Sequence, residues 1–233
     1  MARLFSFAGG VIFLASLLYF AYWYAAPGAP ASRLAGPDGS SPSAAAIDVA
    51  LFTVFALHHS LLARTGIKRA MRAVLSETME RSTYVWAASV LFLGLCLAWR
   101  PVDGVIWSAG SWWLLPSIVQ ATGGAISVLG ARRIGVLELA GADWIFARRR
   151  SRTPHVLSDG LYGLVRHPIY FGWVLVVWAA PVMTGSRLLF AAISTLYLAL
   201  AVPFEERDLT RTFGGAYVEY QKRVTSKIVP FVY

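Results

Sequence analysis

Arg166, His167 and Pro168 stand at the start of one uncharged run, and Glu205 and Glu206 stand at the end of the next. The first run, Pro168 to Ser186, is long enough as a helix to cross a hydrocarbon core of roughly 30 Å at about 1.5 Å per residue. After Arg187 the second, Leu188 to Phe204, carries the chain back. The polar ends of this hairpin therefore meet at one membrane face. A cation, an imidazole and a helix N-terminus face two adjacent carboxylates there, a set suited to a small zwitterion with an extra positive charge. Pro168 fits the first helical turn, where its missing N–H costs nothing. The neighbouring N–H groups are expected to stay open to an anion. Simple anchoring of helix ends explains each residue singly, but not their return to one face.

The elements that must position these groups follow from the composition. The 233 residues are 57% hydrophobic and 14% charged with a mean hydropathy of +0.58, which predicts an all-α polytopic membrane helix bundle. About six transmembrane helices are expected. Leu4 to Ala26 is too long for a signal-peptide core and reads as a retained helix. Gly28 to Ser43 reads as a loop, Val49 to Ala63 as a short span behind Asp48, and Ser82 to Trp99 as the third span. The fourth starts near Ser111 after the interfacial Trp107, Trp112 and Trp113, and the hairpin supplies two more. Residues 1–131 form an N-terminal four-helix membrane region. Residues 132–233 form the core that carries the chemistry, ending in a cytoplasmic helical segment from Glu205 to Val224 that completes the site.

Charge sets the orientation. With six spans, 18 of the 21 Lys and Arg fall on the side of both termini and three, Arg33, Arg100 and Arg187, on the other. Positive charge gathers in the cytoplasm, so both termini and both motifs are expected there. The net charge of +9 thus reflects topology rather than a nucleic-acid partner. The Arg148, Arg149, Arg150 and Arg152 cluster fits the same role, with contact to membrane lipids.

The remaining candidates are weaker. His58 and His59 point about 100° apart on a helix and do not easily share a metal, so no metal site is expected. The single Cys96 lies in an apolar run and reads as a buried thiol. Gly123, Gly124 and Gly130 lack the preceding strand of a dinucleotide fingerprint and read as close helix packing. Tyr162, Tyr170, Tyr217 and Tyr220 include interfacial aromatics, with Tyr170 best placed to offer a ring face to a cation.

The pattern L-Y-x-x-V-R-H-P-x-Y-x-G, a hydrophobic hairpin, then E-E-R-D-L-x-x-x-F-G-x-x-Y-x-x-Y resembles the integral-membrane methyltransferases. That superfamily includes isoprenylcysteine carboxyl methyltransferase and the phospholipid N-methyltransferases. The segments His58-His59-Ser60-Leu61-Leu62-Ala63-Arg64 and Glu80-Arg81-Ser82-Thr83-Tyr84-Val85 are similar to the bacterial methanethiol S-methyltransferase branch, so the resemblance spans Phe52 to Val224. It implies a bacterial inner-membrane enzyme that uses S-adenosylmethionine (SAM) to methylate a small thiol such as methanethiol. Arg166 and Glu206 are then the catalytic pair. His167, Pro168, Tyr170, Glu205, Glu206 and Tyr217 are cofactor-binding, with one carboxylate on the SAM amino group or ribose and the other orienting Arg166. His59, Glu80 and Tyr84 are the substrate-side residues. The linker Ile134 to Arg152 departs from the branch, so a prenylated cysteine carboxylate or a lipid amine stays open as acceptor. A non-catalytic accessory or sensor on the same scaffold is the alternative of another class.

Overall fold

The computed structural model describes residues 2–26, 28–32, 42–62, 73, 75–142 and 155–233. The arginine cluster at 148–152 lies outside them. The elements in order are α1 (Ala2–Ala25), α2 (Pro42–Leu62), α3 (Glu77–Ala98), β1 (Val105–Ser108), α4 (Leu114–Ile134), α5 (Val136–Leu139), α6 (Pro168–Trp178), β2 (Val182–Thr184), α7 (Gly185–Phe213) and α8 (Gly215–Arg223). Among the described residues, five stretches are long and apolar enough to cross a membrane: α1, α2, α3, α4 with its leading 3-10 turn, and α7. The apolar helix α6 is shorter. The protein is an all-α membrane protein, as its composition predicts.

The chain divides into two compact units. The first comprises Met1–Ile106, Gly135–Arg149 and Met183–Leu189. In it α1 packs on α3 through small residues and buried hydroxyls. A Cβ at Gly9 would sit 3.0 Å from the Trp86 indole, whose Nε1 donates to the Phe5 carbonyl at 2.9 Å. Ser6 and Ser82 share a hydrogen bond between hydroxyls. Ser76 caps α3, its hydroxyl accepting the Met79 N–H at 3.3 Å. Helix α2 begins well before the expected Val49. Asp48 lies inside it, fully buried, where its carboxylate accepts the Arg100 N–H at 2.9 Å. That bond lets an acidic residue enter an apolar helix, so Asp48 does not mark the helix start as its charge suggested. Arg187, also buried, donates to the Tyr24 carbonyl at the end of α1, capping an orphan acceptor.

The second unit comprises Trp107–Ile134, Arg150–Val182 and Phe190–Tyr233. One face of α4, at residues 120, 123, 127 and 130, carries α6. Gln120 Nε2 donates to the Val176 carbonyl at 2.8 Å, and the Ser127 hydroxyl donates to the Ile169 carbonyl at 3.0 Å. A Cβ on Gly123 would come within 2.6 Å of the Gly172 carbonyl oxygen, and one on Gly130 within 3.0 Å of Ile169. These two glycines let the backbones touch, whereas Gly124 faces open space.

The run Pro168 to Ser186 is not one helix. Helix α6 stops after 11 residues, about 16 Å of rise, at Trp178. Pro181 has no N–H and disfavours a helical Ala180, so the helix cannot run on. The carbonyls beyond the break find other donors: Ala180 accepts the Trp107 Nε1–H at 3.2 Å and Pro181 the Ala109 N–H at 2.8 Å.

Helix α7 contains Pro203, which leaves the Ala199 carbonyl without its helical donor. The Tyr233 hydroxyl supplies one at 3.1 Å. Gly214, with φ of 58°, then turns the chain into α8, a backbone angle that other residues resist.

Candidate functional site

The start of α6 is held by the chain's last residues. The Arg166 N–H donates to the Ser226 carbonyl at 3.0 Å and the His167 N–H to the Lys227 carbonyl at 2.9 Å. These two N–H groups are therefore taken up by the tail and are not among those open to an anion. The tail is itself packed, with Ile228 in an apolar cluster with Leu198 and Val202.

Arg166 is buried at 8% exposure and its guanidinium is almost fully engaged. Nε donates to Glu206 Oε1 at 2.6 Å and Nη2 to Glu206 Oε2 at 3.2 Å. Nη1 donates to the Val224 carbonyl at 2.7 Å and the Thr225 carbonyl at 3.1 Å. Glu206, also buried, lies 3.3 Å from His167 Nε2 and accepts from Gln221 Nε2 at 3.3 Å. Buried charges persist only when paired and hydrogen-bonded in this way. His167 and Glu206 are both interior groups.

Glu205 is the contrasting carboxylate. Its side chain is 42% exposed, with Oε2 accepting the Tyr170 hydroxyl at 2.8 Å and lying 3.8 Å from His167 Nδ1. The Tyr170 ring stacks on His167 with 5.3 Å between centroids and 5° between planes. Of the two expected carboxylate roles, Glu206 orients Arg166 and Glu205 reaches water.

Tyrosines brace the frame. The Tyr162 hydroxyl donates to the Gly130 carbonyl at 3.2 Å, and Tyr220 donates to the Tyr162 carbonyl at 2.7 Å. Burial pushes the Tyr162 phenol up to about 12 and raises Tyr217 and Tyr220 as well, so all three stay protonated at neutral pH. Tyr217 packs with Tyr220 and Val224, and Pro168 is fully buried with its ring beneath Gly130. Gln221 and the tail carbonyls were not singled out in the sequence. Ile228 and Val229 after a polar helix were the signal that the tail packs, whereas Phe231 and Val232 beyond them are exposed.

In the first unit the structure brings His59 and Tyr84 together, the hydroxyl 2.9 Å from Nδ1. Glu80, buried, lies one helical turn before Tyr84 on α3. Phe55 stacks on His59, and the His58 ring lies parallel to Tyr84 with 6.5 Å between centroids. No group of three or more potential metal ligands occurs among the described residues.

A family model described as Phospholipid methyltransferase matches residues 113–216, the stretch from α4 to the start of α8. The chain is 34% identical over 236 residues to methanethiol S-methyltransferase 1 of Bradyrhizobium diazoefficiens, covering 99% of this chain and 82% of the relative. It is 37% identical over 207 residues to methanethiol S-methyltransferase of Pseudomonas deceptionensis, covering 84% and 77%. It is also 31% identical over 199 residues to nurim of Danio rerio, covering 80% and 70%. No solved structure matches.

Proposed function

The chain belongs to the methanethiol S-methyltransferase family, and from that premise we propose that it transfers the methyl group of SAM to methanethiol or a similar small thiol. The observation that carries the reading is the Arg166–His167–Glu206 network with Glu205 half-exposed beside it. Such a group fits a zwitterionic sulfonium. Bound SAM supplies an electrophilic methyl group, and transfer to sulfur is an in-line displacement that asks for positioning more than for acid–base residues.

The chain's residues divide the work. Glu205 takes the SAM amino group or ribose, where water reaches the site. The stacked His167 and Tyr170 rings offer an aromatic surface beside the sulfonium. Glu206 holds Arg166 rigid, and the tail carbonyls fix the other side of the guanidinium. Tyr217 and Pro168 support these groups from behind. His59, Glu80 and Tyr84 serve the acceptor. The acceptor sulfur gains the methyl group as the donor's sulfur–methyl bond breaks, S-adenosylhomocysteine leaves, and the thiol proton goes to solvent. We read residues 132–233 as the methyltransferase core, both termini as cytoplasmic, and the membrane as the bacterial inner membrane.

The test is purified protein with methyl-labelled SAM and, separately, methanethiol, a prenylcysteine and a phospholipid with a primary amine. Labelled dimethyl sulfide is expected from methanethiol. Label in the prenylcysteine ester or the lipid amine alone would replace the thiol, and SAM bound without turnover would make the protein a sensor.

A further inference from the structure

Beside the buried Arg166–Glu206 pair, the second unit has an open cleft of about 480 Å³. Its long wall is one face of α7, residues 203, 206, 207, 210 and 211, which follow the i, i+3, i+4, i+7, i+8 pattern. Gln221 of α8 and Lys227 of the tail close it.

The charge in this cleft is unbalanced. Its one carboxylate, Glu206, is committed to Arg166, with His167 and Gln221 also against it. Arg211 is paired with Asp208 at 3.1 Å. Arg207 instead lies over the Phe204 ring, its guanidinium carbon 5.4 Å from the centroid. Lys227 lies over the Tyr233 ring at 4.4 Å. Both cations rest on rings, and Lys227 Nζ also donates to the Tyr233 hydroxyl at 3.4 Å, which leaves the rest of its ammonium and the Arg207 guanidinium to meet an anion.

An apolar track leads to these heads. Leu196, Leu200 and Phe204 are 59%, 61% and 46% exposed and recur every fourth residue along α7, ending one turn before Arg207. Exposed leucines on a spanning helix face acyl chains, and the cations follow where the uncharged run stops. Track and cleft together have the form of a lipid, with tail against leucines and phosphate between Arg207 and Lys227.

We propose that this cleft binds the phosphate of an anionic phospholipid. Arginine offers a planar fork to phosphate oxygens and lysine a point charge, the pairing that phosphate recognition uses. The cleft shares Glu206 with the proposed SAM site, but the two cations that carry this proposal, Arg207 and Lys227, have no part in that reading.

Native mass spectrometry of the detergent-purified protein with phosphatidylglycerol or phosphatidylcholine tests it. The wild type should retain phosphatidylglycerol over phosphatidylcholine by roughly tenfold or more, as two cations at an anionic headgroup give. Arg207→Gln alone should weaken the preference, and Arg207→Gln with Lys227→Gln should abolish it. Lys222→Gln with Arg223→Gln, on exposed positions of α8, should leave it intact. Equal retention of both lipids by the wild type overturns the proposal, whatever the variants do. So does loss of preference in the Lys222 and Arg223 control, which would mean diffuse attraction. Displacement by millimolar inorganic phosphate would make the ligand a free anion, and displacement by SAM would make the cleft part of the cofactor site.

Discussion

Arg166 and Glu206 meet through two hydrogen bonds, Nε to Oε1 at 2.6 Å and Nη2 to Oε2 at 3.2 Å, with both side chains under a tenth exposed. A pair this deep is costly to break from one side, because the survivor is left as a buried unpaired charge worth about 3–5 kcal/mol. Glu206→Gln should therefore lower the melting temperature as well as activity, by about 2–4 °C per kcal/mol lost. Arg166→Lys should also lower it, since one ammonium cannot reach two carboxylate oxygens and two carbonyls. Thermal melts in detergent decide this, and an unchanged melting temperature in Glu206→Gln would sink the argument.

Glu205 should behave in the opposite way. It is solvated, and its partners are Tyr170 and His167 rather than a buried cation. Glu205→Gln is expected to leave the melting temperature unchanged while SAM affinity falls about tenfold or more, the usual loss of about 1.5–3 kcal/mol for a charge-assisted contact. Tyr170→Phe, which removes only the hydroxyl, should lose less. Calorimetric titration with SAM reads both, and unaltered affinity in Glu205→Gln would move the amino group elsewhere.

These two carboxylates show how far the sequence was legible. Apolar runs and the hairpin's return brought Arg166, His167, Glu205 and Glu206 to one site, because membrane helices take their course from hydrophobic length. The division of labour between Glu205 and Glu206 was not legible: neighbours in sequence differ in burial according to which helix face meets α8 and the tail. Nor was the use of the Arg166 and His167 N–H groups. Their acceptors lie about 60 residues onward in a tail with no regular period, and only packing shows the pairing. The break at Trp178 could be traced to Pro181, but sequence length alone hid it.

The α4–α6 contact gives a prediction with an internal control. A Cβ on Gly172 would collide with the Gly123 carbonyl oxygen and the Ser127 hydroxyl, whereas one on Gly124 meets nothing within 4 Å. Gly172→Ala should destabilise by about 1–3 kcal/mol, as overpacking does. It should also weaken SAM binding, because it pushes the helix that carries His167 and Tyr170. Gly124→Ala should be near neutral in both assays. Equal behaviour of the two variants would refute close packing as the reason for glycine.

Reporter fusions test the orientation. With six spans, the 18-to-3 division of cations predicts reporters at Ser40 and Gly185 outside and at Ser76, Arg149 and the C-terminus inside. A cytoplasmic reporter at Ser40 or Gly185 would remove the basis for setting both motifs on the side where SAM is made.

The acceptor's own chemistry sets the last expectation. A thiol reacts as its thiolate, and a thiol with a pKa of about 8.5 is mostly protonated at neutral pH. Below its pKa a thiol's reactive fraction rises about tenfold per pH unit, and a simple alkanethiol titrates above cysteine, so the rate at subsaturating methanethiol should climb with pH across the whole range. Tyr162, Tyr217 and Tyr220 stay protonated across that range, so they add no titration of their own to the profile. A protein base would show itself as a flatter profile at lower pH. His59, hydrogen-bonded to Tyr84 at 2.9 Å, and Glu80 on the same helix as Tyr84 are the residues to test. The measurement is labelled dimethyl sulfide from methanethiol between pH 6 and 9 in the wild type, His59→Gln and Glu80→Gln, at concentrations that saturate SAM. A rising profile shared by all three means that solvent takes the proton and that His59 and Glu80 only shape the acceptor's surroundings. A flat wild-type profile that turns steep in one variant names that residue as the base. A rate independent of pH in all three would exclude a free thiol as the nucleophile.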